Sequence, residues 1–158
     1  MVYAAKKSSK EAIADFTAAI VLDPGFSKTY DTPGNVYKEM RLYDKALEQH
    51  DKAIELSPGN ENIYNNRGVI YGIKGGYEKA MADFNRAIVL STGTYKDAYY
   101  NRAYTELNAG FYDGALKDLS EYIKLDPWSI AAYTTRGSVY KKLGNPALAK
   151  QDEEKAKT

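Results

Sequence analysis

Residues 64–71 have the sequence Tyr64-Asn65-Asn66-Arg67-Gly68-Val69-Ile70-Tyr71, and both of its tyrosines belong to series that recur along the chain. The first series, at gaps of 34, 35 and 34 residues, consists of Tyr30, Tyr64, Tyr99 and Tyr133. The second consists of Tyr37, Tyr71 and Tyr140, with Glu106 in the third unit and Tyr3 as an earlier member. A further series is Tyr43, Tyr77 and Tyr112. A period of this length is typical of a solenoid, in which each short unit packs against its neighbours.

Each unit is predicted to contain two antiparallel helices. In the third unit Tyr99, Ala103 and Leu107 lie four residues apart and share one face of a first helix, while Ala115 and Leu119 lie on the apolar face of a second. Glycines are expected to end the first helices, and prolines most of the second ones. We therefore expect a single domain over residues 1–158, with a partial repeat 1–26, repeats 27–60, 61–95 and 96–129, and a shortened repeat 130–158.

The sequence of residues 64–71, followed by Ala80, Phe84 and Ala87, resembles the tetratricopeptide repeat (TPR), with tyrosine for its usual tryptophan and arginine for its usual leucine. The resemblance covers the whole chain. It implies an all-α fold, the right-handed α-solenoid of antiparallel helix pairs known as the TPR superhelix. It also implies a non-enzymatic protein–protein interaction module or scaffold, since this family is defined by a shape that binds other proteins and not by one reaction.

The composition does not favour nucleic acid or membrane partners. Basic and acidic residues balance at 22 and 21, and no basic cluster is long enough to follow a phosphate backbone. Cysteine is absent, no apolar run has the length of a membrane span, and the N-terminal residues lack the order of charges typical of a signal peptide. We expect a cytoplasmic protein that binds neither nucleic acid nor membranes.

No pattern of residues in the chain predicts catalysis, a cofactor or a metal site. The single histidine, His50, stands where other units have Phe16, Phe84 and Leu119, so it is predicted to be a packed helix-interface residue. One histidine without cysteines leaves only scattered carboxylates as metal ligands, and the glycines within residues 72–76 lack the spacing of a phosphate loop. We expect no enzyme activity and no cofactor.

Three arginines are each followed sixteen residues later by an aspartate, a spacing that joins the first helix of a unit to its second. The pairs are Arg67 with Asp83, Arg102 with Asp118, and Arg136 with Asp152. In the first full unit both partners are replaced together, by Pro33 and Gln49. Because an arginine at a helix interface is costly without a carboxylate, we predict an ion pair in each of the three units. The alternative is that these arginines bind a carboxylate of a ligand.

Two irregularities interrupt the pattern. Pro33 stands at an interior helical position, where proline costs about 3 kcal/mol. We therefore predict that the helix starts late, with Pro33 in its first turn, Asp31 or Thr32 as its cap, and residues 27–31 irregular. The second unit ends in Ser91-Thr92-Gly93-Thr94-Tyr95, which is one residue longer than its counterparts and predicts a slightly longer loop.

The resemblance places a binding groove on the concave face formed by the first helices, opposite their contacts with the second helices. The residues assigned to this groove are Asn35, Lys38, Asn65, Asn66, Val69, Ile73, Asp97, Tyr100, Asn101, Tyr104, Leu107, Thr134 and Ser138. The asparagines are expected to bond to a ligand's backbone, and the apolar residues in the middle to contact its side chains. The alternative is that these residues pack neighbouring first helices together or are simply solvated.

One TPR subfamily clamps the acidic C-termini of heat-shock chaperones with asparagines and three cations. This chain has matching asparagines at Asn35 and Asn66, but Asp31, Asp97 and Asn101 stand where the cations are required. Because carboxylates repel a terminal carboxylate, we do not expect chaperone binding. The predicted partner is a protein or peptide segment that is neutral or basic and not an acidic C-terminus.

Two other roles are compatible with the same sequence. One is structural, a solenoid that self-assembles into a homo-oligomer, because the partial first unit would expose the apolar residues Ile13, Phe16 and Ile20. The other is that this chain is the docking part of a larger protein.

Overall fold

The computed structural model describes residues 11, 14–16, 18 and 20–157, and eight helices follow one another from Lys28 onwards. The residues described between 11 and 22 are also helical. None of the described helices is long and apolar enough to cross a membrane. The eight helices are α1 (Lys28–Glu39), α2 (Tyr43–Leu56), α3 (Glu61–Ile73), α4 (Tyr77–Leu90), α5 (Lys96–Ala109), α6 (Tyr112–Leu125), α7 (Ile130–Lys142) and α8 (Pro146–Lys155).

The helices pack as successive antiparallel pairs. Each first helix (α1, α3, α5 or α7) contacts the second helix of its own pair, and each second helix contacts the first helix of the next pair. The first helices also contact one another, α1 with α3 and α3 with α5. Tyr100 of α5 approaches Thr135 of α7, with 3.4 Å between their hydroxyl oxygens, so the first helices form one continuous layer. This arrangement confirms the predicted all-α solenoid of antiparallel helix pairs.

Small residues let the two helices of a pair approach closely. Ala46, Ala80, Ala115 and Ala149, which occupy equivalent positions of the second helices, are all buried. His50 is also fully buried, in the position held by Phe84 and Leu119, so the prediction of a packed histidine is confirmed. A Cβ atom at Gly34 would lie 2.6 Å from Cε1 of His50, and only glycine therefore fits beneath this ring.

The turn after each first helix requires one residue in the left-handed region. Gly75, Gly110 and Gly144 supply it in three repeats, with φ between 72° and 82°. In the first full repeat the same position is Arg41, with φ 59°. A side chain in this conformation costs about 1–2 kcal/mol, so this turn is strained relative to the other three. The longer loop predicted between the second and third repeats is confirmed, since residues 91–95 separate α4 from α5.

The predicted arginine–aspartate pairs are confirmed in all three repeats. In each, Nε and Nη2 of the arginine donate to the two carboxylate oxygens, at 2.8 and 2.7 Å for Arg67 with Asp83. Both distances are 2.6 Å for Arg102 with Asp118, and they are 2.8 and 2.7 Å for Arg136 with Asp152. The aspartates are almost fully buried, with 5%, 2% and 3% of their surface exposed. Both hydrogen bonds are charge-assisted, which makes this the strongest polar contact within a repeat.

The third nitrogen of each arginine reaches back to the second helix of the preceding repeat. Nη1 of Arg67 donates to Asp51 Oδ1 at 2.7 Å, and Nη1 of Arg136 donates to Ser120 Oγ at 3.0 Å. Nη1 of Arg102 donates to Asn85 Oδ1. One guanidinium therefore joins three helices, two in its own repeat and one in the repeat before it.

The recurring tyrosines flank these arginines. The guanidinium carbon of Arg67 lies 5.7 and 5.9 Å from the ring centroids of Tyr64 and Tyr71, and Arg136 lies at the same distances from Tyr133 and Tyr140. Arg102 has one such ring, Tyr99 at 5.6 Å, because Glu106 replaces the second tyrosine. Cation–π attraction to these arginines therefore explains why tyrosine recurs in the first and second series.

The predicted late start of the first helix is wrong. Helix α1 begins at Lys28 and runs through Pro33, which is buried. The residues before the proline are fixed by tertiary contacts: Tyr30 is buried against Ala53 and Ile63, and its hydroxyl donates to the Pro24 carbonyl at 3.2 Å. Proline removes the hydrogen bond to the carbonyl four residues earlier and crowds that carbonyl. The tertiary contacts of Tyr30 hold the helical turn in spite of this cost.

We expect the Arg102–Asp118 pair to be strongly coupled in its effect on stability. In a double-mutant cycle of Arg102→Ala and Asp118→Ala, the coupling energy should exceed about 1 kcal/mol, because either single change leaves a buried charge without its partner. Urea denaturation of the four proteins measures it.

The matched control is the exposed pair of Lys124 and Glu121, whose Nζ and Oε1 atoms are equally close at 2.6 Å. Its coupling should be about 0.5 kcal/mol or less, because water screens it. A coupling at Arg102 and Asp118 no larger than that of the control would contradict a structural role for the buried pairs.

Glu106, which replaces a tyrosine, is a half-buried carboxylate without a hydrogen bond at its buried Oε2 atom. A Cβ atom at Gly114 would lie 2.5 Å from Glu106 Oε1, so the carboxylate fills the space beside this glycine. Burial, reinforced by the charge of Asp118, raises the pKa of Glu106 to about 7, while Arg102 and Lys117 act in the opposite direction.

Stability is therefore expected to fall as the pH rises through about 7. The folded chain holds the Glu106 proton more tightly than the unfolded chain does, so the contribution is complete below the unfolded pKa and is lost as Glu106 ionises. Urea denaturation at about pH 5 and about pH 8 should show a loss that Glu106→Gln reduces. Glu48→Gln, at an exposed position of α2, is the control and should behave like the parent. The same pH dependence in Glu106→Gln as in the parent would refute this assignment.

Candidate peptide-binding groove

The layer of first helices presents a surface with two adjoining pockets, and Tyr100 and Asn101 of α5 line both of them. The arginines and their tyrosines lie on the opposite side of these helices, against the second helices. The remaining face of the first helices is therefore the surface that is open to a ligand.

The first pocket, here called the apolar pocket, has a volume of about 370 Å³ and lies between α3 and α5. Ile73 and Tyr104 are its exposed large apolar walls, with 53% and 58% of their surface exposed. The two helices approach closely at Gly72, where a Cβ atom would lie 2.9 Å from Thr105 Oγ1. Its lining residues are Val69, Gly72, Ile73, Tyr100, Asn101, Tyr104, Thr105 and Asn108.

The second pocket, here called the tyrosine pocket, has a volume of about 460 Å³ and three tyrosines among its walls. The rings of Tyr100 and Tyr122 are 5.3 Å apart between centroids and tilted by 55°. Its lining residues are Asn65, Asn66, Tyr95, Asp97, Tyr100, Asn101, Tyr122 and Ala131.

Sequence reasoning missed Tyr95 and Tyr122. Tyr95 ends the longer loop, where the additional residue brings an aromatic side chain directly before α5. Tyr122 belongs to a second helix, at a position that is alanine in the other repeats (Ala53, Ala87 and Ala156). This exception to the alanine series could have indicated Tyr122 from the sequence. A large ring at this position must extend beyond the space that the alanines occupy.

The electrostatic environment of the tyrosine pocket is negative. Burial, followed by the charges of Asp97 and Glu61, raises the pKa of Tyr95 to about 12. The nearby cation Lys96 is already paired, with its Nζ 2.6 Å from Asp126 Oδ2. Asp31, further along the groove, has its pKa lowered: burial opposes the shift, and the contacts with His50 and Asn66 outweigh it.

The groove asparagines mostly link neighbouring first helices. Asn101 Nδ2 donates to Asn65 Oδ1 at 3.0 Å, and Asn66 Nδ2 donates to Asp31 Oδ1 at 3.2 Å. Asn35 Nδ2 donates within α1 to the Asp31 carbonyl at 3.1 Å. Asn65 is buried, at 6% exposure, and its side-chain oxygen accepts the hydrogen bond from Asn101. This contact agrees with the alternative that the groove asparagines pack neighbouring first helices together.

Comparison with known proteins agrees with this architecture. A TPR repeat model matches residues 34–75, and a tetratricopeptide repeat model matches residues 61–91 and 130–158, so together they cover more than half of the chain. The chain belongs to the tetratricopeptide repeat family. A search of curated proteins found no significant sequence match.

Solved TPR structures have the same fold. The crystal structure of MamA is 26% identical, with a TM-score of 0.87 over 96% of this chain and 88% of that one. YrrB, described as a TPR protein with an unusual peptide-binding site, is 22% identical, with a TM-score of 0.75 over 98% and 79%. The first TPR domain of Spaghetti (RPAP3), bound to the HSP90 peptide SRMEEVD, is 24% identical, with a TM-score of 0.71 over 75% and 93%. The TPR chain thus has the fold of a protein-interaction module.

Five residues assigned to the TPR groove from the sequence line neither pocket. Asn35 and Lys38 lie on α1, where Lys38 Nζ is 3.6 Å from Glu39 Oε1. Thr134 and Ser138 are exposed on α7, and Ser138 Oγ donates to the Thr134 carbonyl at 2.9 Å. Leu107 packs against the core cluster of Ala103, Ala115, Leu119 and Val139.

The structure describes only some of the apolar residues that were predicted to be exposed at the beginning of the chain. Ile13 lies outside the described residues. Phe16 and Ile20 are half-buried, and Ile20 packs against the cluster of Tyr30, Ala53 and Ile63. Among the described residues of this segment, the large apolar side chains that are exposed are Val21 and Leu22, at 78% and 85%.

Asn101 is expected to stabilise the stack of first helices. Replacing it with alanine removes the donor to the buried Asn65 oxygen, and Asn101→Ala should therefore lower the free energy of unfolding by about 1–3 kcal/mol in urea denaturation. Asn108→Ala, on the exposed surface of the same helix, should change it by less than about 0.5 kcal/mol. Equal effects of the two changes would show that the contact with Asn65 is not structural.

Proposed function

We propose that the concave face of α1, α3, α5 and α7 binds an extended segment of a partner protein, with the apolar and tyrosine pockets at its centre. The observation that carries this proposal is the exposure of large apolar side chains beside a cavity: Tyr104 and Ile73 are more than half exposed and form the walls of the apolar pocket. Exposed apolar side chains around a concave surface are typical of binding sites.

The size of the contact fits a reversible peptide interaction. Burying one such side chain fully contributes about 1.5–3 kcal/mol, whereas association costs several kcal/mol in lost freedom of motion. Two or three buried side chains with a few backbone hydrogen bonds therefore exceed that cost by only a small margin, which fits a weak and reversible interaction. Tyrosines suit this role because their large rings have few rotatable bonds to order on binding.

The charge of the groove favours a neutral or basic segment. Asp97 is exposed at the tyrosine pocket, and Asp31 lies on the first groove helix. The Spaghetti domain binds a peptide with two glutamates and a terminal aspartate. An acidic segment of that kind would meet carboxylates in this chain and be repelled.

A second candidate function is self-association, and the exposed patch before α1 favours it. Ala14, Ala18, Val21 and Leu22 form a shallow apolar surface there. A second copy of the chain would bury this surface in a symmetric contact. Light scattering over a range of concentrations checks the candidate, and a monomer at every concentration would exclude it. Both candidate functions are compatible with the chain being the docking part of a larger protein.

The groove proposal is tested with peptides selected on the parent chain from a library of random peptides about twelve residues long. We expect the double variant Ile73→Ala/Tyr104→Ala to weaken binding of the selected peptides at least about tenfold, which corresponds to the loss of about 1.4 kcal/mol. Isothermal titration calorimetry with synthetic copies of the peptides measures the change.

The matched control is Val89→Ala/Trp128→Ala, which removes apolar side chains that are at least as exposed, at 66% and 81%, and line neither pocket. This variant should bind like the parent. Two outcomes would overturn the proposal: equal losses in both variants, and a selection that returns no peptide sensitive to the groove variant.

A further inference from the structure

We propose that the tyrosine pocket binds an arginine side chain of the partner segment. This inference rests on the proposed function, since it names the ligand group that one part of the groove receives. It goes beyond a general preference for basic ligands, because it assigns a guanidinium group to one pocket.

The chain itself shows how its folding pattern holds arginine. Arg67 lies between the rings of Tyr64 and Tyr71, and Asp83 accepts two hydrogen bonds from its guanidinium. Arg136 likewise lies beside two tyrosine rings and donates two hydrogen bonds to one aspartate. These two internal sites therefore share two tyrosine rings and one carboxylate that accepts two hydrogen bonds, a combination that matches the flat, forked shape of guanidinium.

The tyrosine pocket contains the same components without an arginine. Tyr95, Tyr100 and Tyr122 supply rings, and Asp97 supplies a carboxylate. The volume of about 460 Å³ is ample for one long side chain. The tilted pair of Tyr100 and Tyr122 makes a corner, and the ring of Tyr95 adds a third wall.

The charges at this pocket are complementary to a cation. Asp97 has no ion-pair partner among the described residues, whereas the internal aspartates 83, 118 and 152 are all paired. Glu61 adds a second negative charge near Tyr95. Lys96 is held by Asp126, so its charge is compensated at 2.6 Å. A ligand cation would thus enter a region of uncompensated negative charge.

Arginine fits the pocket better than lysine does. The face of Tyr122 already has the ammonium group of Lys96, with Nζ 5.8 Å from the ring centroid. The remaining rings and the Asp97 carboxylate favour a planar group that stacks and donates two parallel hydrogen bonds. The side-chain oxygens of Asn66 and Asn101 are further acceptors, because their amide nitrogens make the contacts between repeats.

The test uses two short probes that differ only in charge, acetyl-Gly-Arg-Gly-amide and its citrulline counterpart. Each is titrated into the nitrogen-15-labelled chain while amide chemical shifts are followed by NMR. We expect saturable shifts at residues 65–66 and 95–101 with the arginine probe, with a Kd on the order of millimolar, and binding at least about tenfold weaker with the citrulline probe.

Two variants locate the site. Asp97→Asn should weaken the arginine probe at least about fivefold, because it removes the carboxylate without changing the size of the side chain. Asp113→Asn is the matched control, since Asp113 is also an exposed acid in the first turn of its helix, and it should bind like the parent. Tyr95→Leu, which removes one ring, should also weaken binding.

The proposal is overturned by equal binding of the two probes, by shifts that map outside the tyrosine pocket, by an unchanged Kd in Asp97→Asn, or by the absence of saturable binding. These outcomes are distinct from failure of the proposed function, because the probes are too short to reach across the groove. Peptides from the random library that need Tyr104 but contain no arginine would support the groove and contradict the arginine site. Binding of the arginine probe without any groove-dependent peptide would do the reverse.

Discussion

The buried pair of arginine and aspartate between the first and second helix is the contact on which each full repeat from α3 onwards depends. The aspartates are at most 5% exposed, and such a carboxylate is tolerated only with both oxygens bonded to a cation. The two parallel bonds fix the rotation of one helix against the other. The third guanidinium nitrogen bonds to the preceding repeat, so the same group also sets the angle between repeats.

The position of the groove follows from that pair. An arginine that points towards the second helix leaves the opposite face of the first helix to the concave side. That face is then divided between two tasks. Asn65, Asn66 and Asn101 bond from helix to helix and keep the first helices in register. Tyr104 lines the apolar pocket. Tyr100 serves both tasks, since its hydroxyl lies 3.4 Å from a threonine hydroxyl on α7 and its ring lines both pockets. The amide nitrogens of Asn66 and Asn101 make these contacts, which leaves their side-chain oxygens as acceptors for the proposed ligand.

The sequence was sufficient wherever a residue's role is decided inside one repeat. Helix pairs, turn glycines, the buried His50 and the arginine–aspartate pairs all follow from spacing. It was insufficient where contacts with distant parts of the chain decide the conformation or position of a residue. Pro33 is helical because Tyr30 is anchored to α2 and α3. Helix propensity, which depends on the local sequence alone, does not include such contacts. Tyr95 and Tyr122 reach the groove from a loop and from a second helix, and a rule that assigns only first-helix positions excludes both.

The departures from the repeat pattern concentrate in the third full repeat and at its entry. There Glu106 replaces a tyrosine, Gly114 replaces the lysines that lie over the tyrosines of the two earlier repeats, and Tyr122 replaces an alanine. The additional residue before α5 brings Tyr95 to the same place. Glu106 is a half-buried carboxylate whose pKa is raised by burial, so this replacement costs stability when the carboxylate is ionised. Since both pockets meet at Tyr100 of this repeat, the irregularities lie beside the proposed binding surface. Natural sequences depart from regular packing mainly at functional sites, so this position agrees with the proposal.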